Sequence, residues 1–185
     1  TAADLDKPIQ PIPDPKNAEY NFGAIIKTEA NEYWQAMAQG YGDAATRYGV
    51  KVEVGSVATE ADTSQQLALL ESYVSQGFDA LLVSPITPTN LNSALATATQ
   101  QGIPIFNVDE LIPDDAAKEA GIKIEMRIAS NNYQAGQLAG QYVLDHVDAG
   151  AQVAILEGLA GNVSGQNRRD GFYDTVSGTL DVVAS

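Results

Sequence analysis

From Phe22 onward the chain repeats one unit: a short apolar run, a polar turn, a stretch of helical period, a glycine, and another apolar run. After the opening run near Gly23, the later ones are Val50 to Val54 after Gly49, Ala80 to Val83 after Gly77, and Ile103 to Val108 after Gly102. Ala151 to Leu156 after Gly150 and Leu180 to Ala184 after Gly178 continue it. Each glycine just past a helix is expected to supply the left-handed residue that stops it. The runs read as strands apolar on both faces, as when helices cover both sides of a parallel sheet. Strand and helix in alternation predict an α/β fold, a doubly wound parallel sheet with helices on both faces.

The helical stretches fit. Trp34, Met37, Tyr41, Ala45 and Tyr48 share one stripe. Asp62 with Gln65 reads as a capping box opening the helix that bears Leu67, Leu70 and Val74. Thr87 and Pro88 read as N-cap and first turn of the helix bearing Leu91, Leu95 and Ala98. After Val108 the rhythm breaks into an acidic stretch with a short helix from Asp114 to Ala120. A strand from Ile124 to Ala129 follows, then a helix capped by Asn131 or Asn132 and bearing Ala135, Leu138, Ala139 and Tyr142. Three regions are therefore expected: a Pro-rich tether at 1–18, an α/β domain at 19–130, and at 131–185 the start of a second α/β domain, incomplete here. The tether is either an untrimmed terminus or a membrane-proximal leash.

In open parallel sheets, ligands bind beyond the carboxyl ends of the strands, which directs attention to three loops. The first runs from Lys27 to Asn31 and leads into Tyr33 and Trp34. No glycine occurs between Gly23 and Gly40, so the loop cannot cradle a pyrophosphate. Trp34 shares the core stripe, yet either ring could face a sugar or another flat ligand. The second loop holds Asp109 and Glu110: acceptors for hydroxyls, an acid and base, or a solvated acidic turn. On an extended chain the two would point oppositely, against an acid-base pair. In the third, Glu157 to Arg169, neither a P-loop nor a nucleophile elbow is matched. Asn162 and Arg168 are its candidate donors, with Arg169 read as a surface or interdomain charge. His146, near the end of a helix, is assigned no function.

The formal net charge of −14 opposes binding to nucleic acid or an anionic membrane surface and favours a neutral or cationic small partner. With no cysteine and one histidine, neither a thiolate nor a multi-histidine metal site can form. No metal, cofactor or catalytic residue is assigned.

The three loops, together with Val108-Asp109-Glu110, Ile128-Ala129-Ser130-Asn131-Asn132, Glu157-Gly158, Gly161-Asn162, Ser164-Gly165 and Arg168-Arg169-Asp170-Gly171, resemble the ribose and allose group of periplasmic sugar-binding proteins. The resemblance covers Tyr20 to Ser185. It implies the type I periplasmic binding protein fold and capture of a neutral sugar or polyol between two domains for delivery to an ABC-transporter permease. It places the protein in the periplasm or another extracytoplasmic location, secreted or lipid-anchored. Carried over, Lys27 and Asn31 would hydrogen-bond sugar hydroxyls, Tyr33 and Trp34 would stack on the pyranose, and Asp109 would take two hydroxyls. Ribose binders have arginine at the positions of Glu110 and Gln166, so an allose-like hexose or related polyol is favoured. The family fold continues further, so a C-terminal half or a complementary chain would complete the second domain. The alternatives are a glycoside-processing enzyme using Asp109 and Glu110, and the effector-binding core of a sugar-responsive transcription regulator, which would need a basic helix-turn-helix ahead of it.

Overall fold

The computed structural model describes residues 20–185, so the expected tether lies outside the described residues. Strands β1 (Asn21–Thr28), β2 (Lys51–Val57), β3 (Ala80–Val83), β4 (Ile105–Val108) and β5 (Met126–Ile128) form an all-parallel sheet in the order β2-β1-β3-β4-β5. Helices α1 (Glu32–Tyr48), α2 (Thr63–Gln76), α3 (Asn92–Gln100) and α4 (Asp114–Glu119) connect them. Helix α5 (Asn132–Leu144), β6 (Gln152–Ala154), α6 (Val163–Val176) and β7 (Asp181–Ala184) follow, with β6 and β7 paired in a separate parallel sheet. The expected α/β architecture is therefore present. Because β2 and β3 flank β1 on opposite sides, the winding reverses at β1, the kind of switch point where a crevice opens beyond the strand ends.

The core lies under the five-stranded sheet. Ile25, Leu81, Val83 and Ile105 from the strands meet Leu70, Tyr73 and Val74 of α2, Leu95 and Ala98 of α3, and Leu91 just ahead of it. Each of the valines, leucines and isoleucines contributes about 1.5–3 kcal/mol on leaving water. On the other side of β1, α1 packs through Trp34, and Ala24 and Ile26 alternate with Ile25 there. Gly23 and Gly55 make room for Tyr73: a Cβ on either would come within 2.7 Å of its side chain. The Tyr73 phenol is pushed above its ordinary range by burial and then by the neighbouring Glu53 carboxylate.

Several local expectations are corrected. Gly49, Gly77, Gly102 and Gly150 have positive φ, but Gly178 does not; α6 ends instead on a right-handed Ser177. Asp62 occupies the N-cap of α2 without capping it: its Oδ2 accepts from the Thr59 backbone and hydroxyl, and its Oδ1 from Gln65. Thr87 does not open α3, because Thr87 and Asn90 close a turn on each other and the helix starts at Asn92. Only the inner strands are buried on both faces; β2 at the edge and β5 and β6 are partly exposed. Lys27 belongs to β1 rather than to the loop, since the strand runs through Thr28.

The second half is held differently. The stripe expected to bury Leu138 and Tyr142 faces solvent, while Gly136 and Gly140 are the buried positions of α5. A Cβ at Gly136 would sit 2.0 Å from the Arg168 carbonyl oxygen, and one at Gly171 would sit 2.0 Å from that of Tyr133. Helices α5 and α6 therefore touch backbone to backbone, which only glycine permits. The Tyr133 hydroxyl donates to Asp174 across the pair at 2.7 Å.

Candidate functional site

Residues from both halves line a cleft of about 370 Å³: Lys27, Asn31, Tyr33, Trp34, Glu60, Asp109, Ser130, Asn132, Asn162, Ser164 and Arg168. Seven of the eight residues singled out from sequence are among them, and Glu110 is not.

Two helix starts face this cleft. Asn31, with extended backbone, caps α1 by accepting from the Trp34 N–H, and Asn162 caps α6 by accepting from the Gly165 N–H. Each spends its carbonyl on the cap, which leaves its amide N–H groups for an acceptor in the cleft. The positive ends of both helix dipoles lie at the same place and favour electron-rich oxygens there.

Tyr33 and Trp34 divide their roles as their angular separation on the helix requires. Trp34 is buried, with its ring edge-on to Tyr33 at a centroid distance of 4.9 Å and an interplanar angle of 88°. Its indole N–H donates to Glu60 at 3.0 Å, and the Lys27 ammonium lies 5.6 Å from its ring centre. Tyr33 is half exposed and donates its hydroxyl to Asp109 Oδ1 at 2.9 Å. Partial desolvation, and then the Asp109 charge, push the Tyr33 phenol up to about 12.

Asp109 is the one described non-glycine residue in the left-handed region, with φ of 69°. The expectation that Asp109 and Glu110 point oppositely from an extended chain is therefore corrected. Lys27 Nζ reaches both, 3.3 Å from Glu110 and 3.7 Å from Asp109. Lys27 is itself almost fully buried, its charge balanced by this pair.

Glu110, expected to contact ligand, is wholly buried beneath the cleft. Arg168 is exposed at the rim and donates to Asn132, while Arg169 pairs with Asp170 and Glu157 outside the lining. Sequence reasoning passed over Glu60, Ser130, Asn132 and Ser164 as site residues. Ser130 and Ser164 stood in recognised motifs without a role, Asn132 was read only as a candidate helix cap, and Glu60 follows β2 just as Asp109 follows β4, a positional signal available beforehand. His146 follows the end of α5, with its ring stacked on Tyr142, away from the cleft. Among the described residues no three of His, Asp and Glu come together as a metal site.

Residues 22–185 match the family model described as periplasmic binding protein domain. A D-allose-binding periplasmic protein of Escherichia coli is 34% identical over 83% of this chain and 50% of its own length. A ribose import binding protein of Bacillus subtilis is 30% identical over 99% of this chain and 58% of its own length. The chain thus spans about half the length of these curated relatives. Among solved structures, an ABC-transporter solute-binding protein of Actinobacillus succinogenes with bound D-allose superposes with a TM-score of 0.83 at 28% identity, over 90% of this chain and 59% of that one. One from Agrobacterium vitis with bound D-fucose gives 0.79 at 27%, over 88% and 56%.

Proposed function

This chain belongs to the periplasmic binding protein domain family, and from that premise we propose that it captures a neutral sugar, an allose-like hexose or related polyol, for uptake through an ABC transporter. The observation that carries the reading is the lining of the cleft. An aromatic pair stands beside helix-capping amides, a buried ammonium and two carboxylates, all at one opening between the halves. Sugar hydroxyls both donate and accept, so a site offering amide and ammonium donors beside carboxylate acceptors suits them. The aromatic C–H surface suits the apolar face of a pyranose. The volume falls within the roughly 300–1,000 Å³ of small-ligand sites.

Net charge separates a neutral ligand from an anionic one. Lys27 is already shared by Asp109 and the Glu110 beneath, and Glu60 is a second acidic group in the lining beside Asp109. A sugar acid or phosphate would meet these charges with only Arg168 at the rim to offset them. The two acidic residues after β4 do not flank an opening as a glycosidase pair would, since Glu110 is beneath the cleft and both face Lys27. Capture without chemistry follows. We take residues 131–185 as the opening of the second domain, with location outside the cytoplasm and a permease as partner.

Isothermal titration calorimetry with D-allose, D-ribose and D-fucose tests this. D-allose should bind more tightly than D-ribose, and Asp109→Ala should weaken D-allose binding by roughly tenfold or more. Undiminished binding in that variant removes Asp109 from the site, and heat with a sugar phosphate but none with neutral sugars overturns the reading.

A further inference from the structure

The Glu110 carboxylate meets both halves of the molecule at once. Its Oε2 lies 3.3 Å from Lys27 Nζ on β1 and accepts from the Ser164 hydroxyl at 3.2 Å, while its Oε1 accepts from the Val163 N–H at 3.1 Å. Val163 and Ser164 open α6, where backbone N–H groups have no partner inside the helix and a negative charge is favoured. From below, Asn107 fixes the Glu110 backbone. Its amide donates to the Glu110 carbonyl at 2.9 Å and to the Val83 carbonyl, and its oxygen accepts from the Ile112 N–H at 2.8 Å. Both Asn107 and Glu110 are fully buried.

One carboxylate, held in place by the sheet, therefore ties the end of β1 to the start of α6. Both elements line the cleft: Lys27 from the first, and Asn162, Ser164 and Arg168 at or within the second. We propose that Glu110 is a positioning residue. It sets the separation of the two halves and the direction of the Lys27 ammonium, and so governs affinity without touching the ligand. Its effect on affinity rests on the sugar-capture reading, whereas its setting of the separation does not.

Because the chain has no cysteine, a labelled pair can be placed by Glu119→Cys on α4 and Gln137→Cys on α5, both exposed. Electron-electron double resonance then reads the distance between halves with no ligand present. Glu110→Gln replaces one acceptor oxygen by a donor, so it cannot serve Lys27 and both α6 donors together. The distance distribution should broaden and shift outward by several ångström, with circular dichroism unchanged. Ser164→Ala, which deletes one tie, should shift it less, and it decides the matter if Glu110→Gln fails to fold. Adding Lys27→Met to Glu110→Gln removes the buried ammonium that would be left with Asp109 alone. It should recover thermal stability and leave the distance shifted, which a merely structural role for Glu110 would not do.

Emission of Trp34, the single tryptophan, follows titration with D-allose. Glu110→Gln should weaken binding roughly tenfold or more. An unchanged distance in the variants overturns the proposal, as does a shifted distance with unaltered sugar affinity. A shifted distance in a protein whose parent ignores D-allose and D-ribose supports the tie between halves and overturns the sugar reading instead.

Discussion

The five-stranded sheet and the two-stranded sheet grow from the same unit of sequence, yet they bury their apolar residues to different depths. In the first, Leu70, Leu81, Leu91, Leu95 and Ile105 are all 0% exposed. In the second, Leu156 is 98% exposed, Leu138 67% and Tyr142 65%. Strands and helices form in both, because local period and caps suffice for that. A dry core requires elements on both sides of a sheet, and among the described residues only α5 and α6 adjoin the two short strands of the second sheet. What holds α5 to α6 is close backbone approach at Gly136, Gly140 and Gly171 rather than an apolar interior. The same alternation of strand and helix thus accompanies a dry core in one sheet and close helix contact beside the other.

The contrast is open to direct attack. Leu70→Ala should cost about 2–5 kcal/mol in urea unfolding, since it opens a cavity in the dense half; a loss under about 1 kcal/mol would mean that this core is no better packed than the other. Gly171→Ala should cost about 1–3 kcal/mol or more, because the new methyl meets backbone that has no rotamer to yield. Its hydrogen exchange should accelerate across α5 and α6 while β1 and β3 stay protected, and uniform acceleration would join the two halves into one cooperative unit. Leu156→Ser should change stability by less than about 0.5 kcal/mol, so a larger loss would place that side chain in a buried contact.

The gentlest probe is alkaline titration. The Tyr33 phenol is raised in the folded state to about 12 from an ordinary value of 10.0. Its contribution is therefore complete below the unfolded value and is lost as pH rises from there through the folded one. Difference absorbance of Tyr33→Phe against the parent should locate that ionisation near the higher value, whereas a transition at the ordinary value would free Tyr33 from Asp109.

Much of the cleft was legible beforehand, and the exceptions share a cause. Asn31, Tyr33 and Trp34 could be placed because a strand, a polar turn and a helix start are written in neighbouring residues. Asn162 was legible as a candidate donor in the loop after the next half's strand, and the structure adds that it caps α6. Glu110 could not be placed. Its direction depends on the left-handed turn at Asp109 and on partners at Lys27, Val163 and Ser164, 83, 53 and 54 residues away in the chain. Glu60 was missed although its place after β2 was a readable signal; its partner, the Trp34 indole, comes within reach only when β2 pairs beside β1.

The amino-acid order alone determined the alternation of strand and helix, the all-parallel sheet, the polar turns that lead into the helices, and the acidity that favours a neutral or cationic small partner. These are properties of period, turn chemistry and summed charge, which act over a few residues or over none. The fold decided which of two adjacent acids looks into the cleft, that Lys27 is buried between them, and which glycines are contacts rather than stops. Such choices depend on the environment that distant segments provide once packed, because a side chain's burial and partners are set by what lies across from it in space.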